Sequence, residues 1–177
     1  EYAWKIPQNS SLINQTTMTA DKNGNPYIGT YWSENGIPQF QIVYHKEGKW
    51  NKENSGFRKL AFNLGEGGTK NIPISRPDIL IDDKGESLSL YILFADQERG
   101  SKVSLAYRDL NKKSDWKIRD LTETSVDQWE PNYDVNLWNA SKKLHIFTQE
   151  VIQIDGEGLA KKQPTMITIL ELNKLPK

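Results

Sequence analysis

A spacing of about sixty residues constrains this chain more than any other feature. Gly24 closes the turn Asp21-Lys22-Asn23-Gly24, and Gly85 closes Asp82-Asp83-Lys84-Gly85. Each turn is preceded by a short strand-like segment and followed by a strongly apolar one, Tyr27 to Trp32 and Leu90 to Ala95. A second turn and an alternating segment come next. These are Phe40 to His45 after Asn35-Gly36, and Lys102 to Tyr107 after Glu98-Arg99-Gly100. Asp, Asn and Gly supply the Asx turns and positive φ that hairpins demand. A third copy follows at slightly less than the same distance, with Pro131 to Trp138, Leu144 to Thr148 and Thr165 to Leu172. The first two copies also carry a closing segment led by Trp50 or Trp116. Helical periodicity is missing almost throughout.

Strand sets repeated at a fixed period are the signature of β-propeller blades. The expected fold class is therefore all-β, with three four-stranded antiparallel blades over residues 12–64, 72–125 and 129–175. Together they form one partial propeller domain over residues 1–177, with Thr17–Ala20, Pro77–Ile81 and Tyr133–Leu137 as innermost strands. A propeller closes with about four to eight blades, so three leave two flanks without a partner. The chain also opens Glu1-Tyr2-Ala3-Trp4 without a Met, as if cut from something longer. The remaining blades are thus expected on the same parent protein or on another chain. A soluble monomer with both flanks bare is not expected.

Composition removes several function classes. Lys plus Arg and Asp plus Glu are 23 each, so no net charge draws the chain to nucleic acid or to a membrane surface. No apolar run approaches the roughly 20 residues of a spanning helix. Without cysteine there are no disulfides and no thiolate metal sites. Asp82-Asp83 and the Asp155/Glu157 pair read as solvated turns, and no His cluster forms a metal site. The Gly-rich string Leu64 to Lys70 lacks Gly-x-x-x-x-Gly-Lys-Ser/Thr and a following helix, so it is a loop and not a phosphate cradle. The excess lies in aromatics, six Trp and seven Tyr, a composition shared by packed cores and sugar-binding surfaces.

Four strings, "PQFQIVYH", "GGTKNIPISRPDILID", "FADQERGSKVSLAY" and "DLTETSVDQWEPNYD", together resemble the BNR-repeat polysaccharide lyases, in particular the seven-bladed ulvan lyases. The likeness runs from about Met18 to Leu172 and would cover the carboxyl-terminal part of such an enzyme. The Ser-x-Asp-x-Gly-x-x-Trp Asp-box of sialidases survives only as loose Asp/Gly turns such as Asp21 to Gly24. The resemblance implies β-elimination on a uronate-containing, ulvan-like glycan by a secreted, periplasmic or surface protein. It implies no required cofactor, and leaves room for structural calcium or zinc in the complete propeller. The alternatives are a non-catalytic propeller module that binds glycan or protein, and a propeller glycosidase. The glycosidase would need paired carboxylates across a cleft.

Elimination needs a cation to neutralise the uronate carboxylate, a base for the C5 proton and an acid for O4. Arg suits the first task because its planar fork pairs with a carboxylate and keeps its charge. Tyr or His suits the others once its pKa is tuned. The resemblance implies Tyr44, in the "YH" string, and Arg58, in "GFRKL", as catalytic residues, with the family's histidines upstream of Glu1. As strand neighbours Tyr44 and His45 must face opposite sides. His45 is therefore read mainly as packing, with a lesser claim to touch substrate. Arg76, Arg99, Trp32 and Trp129 are the further substrate-binding candidates, each with salt bridging or inter-blade packing as its alternative. His145, inside "KLHIF", is expected in the core.

Overall fold

The computed structural model describes residues 1–12, 16–64, 70–112, 114–154, 156, 158–161 and 165–176. They form three antiparallel sheets in chain order. The first sheet is β1 (Thr17–Ala20), β2 (Pro26–Ser33), β3 (Pro38–Lys46) and β4 (Lys49–Asn54), paired in that order. The second repeats the pattern with β5 (Asp78–Asp82), β6 (Ser89–Asp96), β7 (Lys102–Asp109) and β8 (Lys117–Asp120). The third holds β9 (Asn132–Tyr133), β10 (Leu144–Thr148) and β11 (Thr168–Leu172), in the order β11-β10-β9. Two innermost strands thus fall where the repeat puts them, and an all-β fold built of blade-like units stands.

The third unit departs from expectation in two ways. Among the described residues its sheet has three strands, not four. Its innermost strand also stops at Tyr133, and the segment expected to continue it is a helix, α1 (Val135–Ser141). Val135, Leu137 and their polar neighbours alternate as a strand would, but Asp134 decides the matter. Its side chain accepts from the Leu137 amide at 2.9 Å, which caps the first turn. Helical spacing then drives Trp138 into the core, where its ring meets Tyr91 edge to face. The tight turn of the first two units is here a helical one.

The sheets pack face to face, which explains the continuous apolar runs. Alternate residues of β5 and β6 point to opposite sides. Ile79, Ile81, Leu90, Ile92 and Phe94 bury against Tyr27, Tyr31, Phe40 and Ile42 of the first sheet. Leu80, Tyr91, Leu93 and Ala95 bury against Leu144, Ile146 and Trp138 of the third unit. A strand covered on both faces has no polar side to show. The first two sheets meet closely at Gly29, where a Cβ would lie 2.6 Å from Ile79 Cγ2.

The two outer faces differ. On the first sheet the amino-terminal segment lies across the face. The Ser33 amide donates to the Ser10 carbonyl at 2.7 Å, Trp50 Nε1 donates to Glu1 Oε1 at 3.1 Å, and Lys52 sits over the Trp4 ring. On the third sheet Ile169 lies exposed on β11, just beyond exposed Met166 and Ile167. His145, expected in the core, is half-buried, because Leu144 and Ile146 take the inward positions of β10.

Candidate glycan-binding cleft

All three innermost strands start at the same end of their sheets, here the upper end. The segments leading into β5 and β9 therefore lie side by side with the β6–β7 turn and the segment after β10. Between them is a cleft of about 470 Å³, within the range of small-ligand sites. Its charged and aromatic lining is Lys70, Arg76, Asp96, Asp127, Trp129 and Glu130. Ser75, Gln128 and Gln153 add neutral polar groups.

Arg76 and Glu130 form the cleft's ion pair, with side chains 38% and 41% exposed. Glu130 holds Arg76 twice. It accepts from the Arg76 amide at 3.2 Å through Oε1, and from the guanidinium NH1 through Oε2. The Arg76 Nε is buried and has no partner. Trp129 is half-buried, and its Nε1 donates to the Phe147 carbonyl at 2.9 Å, which fixes the indole plane at the cleft wall. Below the pair lies Tyr31, fully buried, with an unpartnered hydroxyl that feels the charges of Arg76, Glu130 and Arg58. Burial pushes the Tyr31 hydroxyl far up, so it stays protonated. Burial likewise pushes Tyr133 up to about 12, with the charge of Asp78 adding to it, and raises Asp78 itself. The site is polar, with a buried tyrosine near its base and an indole on one wall.

Of the residues singled out in the sequence, Arg76 and Trp129 are brought together here. Tyr44 and Arg58 are not. Arg58 NH1 donates to the Pro38 carbonyl at 2.8 Å, at the upper end of β3. Tyr44 lies six residues further down that strand, about 20 Å away at roughly 3.3 Å per residue. It stands at the end remote from the cleft. The two residues cannot serve one sugar.

Each is also otherwise engaged. Arg58 is 4% exposed, and its Nε donates to Asp96 at 2.7 Å, its NH1 to the Pro38 and Leu60 carbonyls, and its NH2 pairs with Glu98 at 3.1 Å. Glu98 in turn accepts from the Lys59 and Leu60 amides. An arginine so saturated fastens the segment after β4 to the second sheet. It has no fork left for a substrate carboxylate, which corrects its reading as a clamp. Tyr44 stacks on Tyr27 at 5.5 Å, and burial raises its pKa, with Glu53 adding to the rise and Arg108 opposing it. A tyrosine that keeps its proton more firmly than usual is poorly suited to be a base.

The remaining candidates sort by position. His45 does face away from Tyr44, edge-on to its cross-strand partner Trp50 at 5.3 Å, on the outer face of the first sheet. Trp32 is fully buried beneath the amino-terminal segment and donates to Glu34 at 3.3 Å, so it offers no stacking surface. Arg99 donates to Asp120 at 2.8 Å and 2.6 Å and to Ser104 at 3.2 Å. It lines a smaller hollow of about 230 Å³ with Arg58 and Glu98. Among the described residues no three His, Cys, Asp or Glu side chains are grouped to hold a metal ion. Asp155, Glu157 and residues 65–69 of the Gly-rich string lie outside the described residues.

One residue of the cleft, and one buried near its ion pair, escaped the sequence reading. Glu130 sits next to Trp129 but was legible only as a generic carboxylate partner for Arg76. Tyr31 shares a strand face with Tyr27 by alternation. Its place at the upper end of β2 is the signal that marks it.

The comparison with known families bears on the first unit. Residues 1–57 match the model of a BNR repeat-containing family member. The match takes in the amino-terminal segment and the whole first sheet, so the BNR-type repeat read along the chain has independent support there. A kinship with ulvan lyases in particular is no part of it. Among curated proteins there is no match.

Proposed function

We propose that this chain contributes the acidic-glycan-binding cleft of a BNR-repeat propeller. The observation that carries the reading is the meeting of Arg76 and Trp129 in one cleft of about 470 Å³. Sugars present an apolar face of C–H groups on which an indole stacks, and a ring of hydroxyls for neutral polar partners. A uronate adds a carboxylate, for which a guanidinium fork is the fitting partner. Ser75, Gln128 and Gln153 supply the hydroxyl partners. The partner is thus a uronate-containing polysaccharide, of the kind met outside the cell or at its surface. Further blades on the same parent protein or another chain would cover the bare outer face of the third sheet.

A lyase is the second reading, and the partly exposed Arg76 favours it. In β-elimination the C5 proton leaves, its electrons form the C4–C5 double bond, and O4 departs with a proton. Arg76 would take the neutralising role that the resemblance gave to Arg58. The proton-transfer groups would come from blades beyond this chain, since Tyr44 stands at the far end of its sheet.

Two experiments test these readings. Calorimetric titration with a glucuronate-containing oligosaccharide and with its carboxyl-reduced counterpart should show binding of the first and at least tenfold weaker binding of the second. Equal affinities would refute acidic recognition. The complete parent protein, incubated with ulvan, should develop the ultraviolet absorbance of an unsaturated uronate if it is a lyase. Binding without that absorbance leaves a binding module.

A further inference from the structure

We infer that Glu130 is the specificity-determining residue of this cleft, an internal carboxylate that holds the place of the ligand's own on Arg76. The inference rests on the acidic-glycan reading and adds how the site discriminates among anions. Three observations carry it.

The first is the grip itself. Glu130 uses both oxygens on Arg76, one on the amide at 3.2 Å and one on the guanidinium. An incoming carboxylate would compete for the same guanidinium. The second is the balance of charge. Asp96 is taken by Arg58 and Arg76 is matched by Glu130, while Lys70 and Asp127 both line the cleft. An added carboxylate that engages the Arg76 NH1 therefore competes with Glu130 for it. The third is what the pair leaves unsatisfied. Arg76 Nε is buried without a partner, a costly arrangement that a better-placed acceptor would relieve. Both members of the pair are partly exposed, and exposed pairs are held weakly. Exchange of one carboxylate for another is therefore cheap.

The consequence is selectivity. A neutral sugar leaves the internal pair intact and gains only the stacking on Trp129 and the hydroxyl contacts of Ser75, Gln128 and Gln153. A uronate replaces Glu130 on Arg76, and only a ligand with a correctly placed carboxylate recovers what the exchange costs. Built-in competition of this kind leaves neutral ligands untouched, lowers affinity for every anion, and discriminates against anions whose carboxylate is misplaced.

The test is Glu130→Gln, which keeps the shape and removes the charge. Titrating the purified protein with the glucuronate oligosaccharide should show binding three- to tenfold tighter than wild type. Binding of the carboxyl-reduced oligosaccharide should be unchanged. Glu130→Ala carries the same expectation, so a folding defect in one variant leaves the other to decide. Unchanged or weaker binding of the acidic ligand by the folded variants, with wild type still binding it, would overturn the role of Glu130 alone. Such a result would mean that Glu130 positions Arg76 or touches the sugar. Failure of wild type and both variants to bind either oligosaccharide would overturn the glycan reading and this inference with it.

Discussion

Arg58→Ala is expected to cost about 3–5 kcal/mol of folding stability, the usual penalty for leaving a buried charge without its partner. Asp96 is 2% exposed, and burial already pushes its carboxyl up against the pull of the Arg58 hydrogen bond. Without that guanidinium the carboxylate loses its main compensation, and Glu98 loses its buried cation as well. Domains of this kind are stable by only about 5–15 kcal/mol, so the urea midpoint should fall steeply. Arg58→Lys should recover little, because one ammonium cannot reach two carboxylates and two carbonyls from a single planar fork. A loss below about 1 kcal/mol would show that Arg58 is not the fastener described here.

Arg76→Ala should behave in the opposite way. Its ion pair is partly exposed and should add no more than about 1 kcal/mol to stability, so the melting curve should barely move. Binding of an acidic oligosaccharide should fall by about 10–100-fold, the equivalent of one charge-assisted hydrogen bond of about 1.5–3 kcal/mol. Tyr44→Phe is the control. It keeps the ring on Tyr27, removes a hydroxyl remote from the cleft, and should leave both folding and binding within a factor of about three. A large drop in binding for Tyr44→Phe with none for Arg76→Ala would move the site to the other end of the sheets.

These two arginines show where a linear reading stops. Both were legible as candidate carboxylate partners, and nothing local distinguishes "GFRKL" from "ISRPD" in exposure. Arg58 is buried because Asp96 and Glu98 lie in the next blade, 38 and 40 positions along the chain. Arg76 is only partly buried, and its partner Glu130, at the entrance of the blade after its own, is itself 41% exposed. Burial here is set by tertiary neighbours. The opposite facing of Tyr44 and His45 was legible, since strand alternation fixes it. Alternation does not say which end of a strand meets a cleft, and Tyr44 is at the wrong one. The repeat fixed two sheets to within a residue or two. It misled at "YDVNLW", where a capping aspartate and a buried tryptophan outweighed the alternating pattern.

The most direct test of the central claim is a crystal structure of the protein with a uronate-containing oligosaccharide bound. The carboxylate should lie within hydrogen-bonding distance of the Arg76 guanidinium, with a sugar ring against the Trp129 indole and Glu130 displaced from its grip. An oligosaccharide seated beside Tyr44, or on the outer face at Trp50, with Arg76 still held by Glu130, would contradict it.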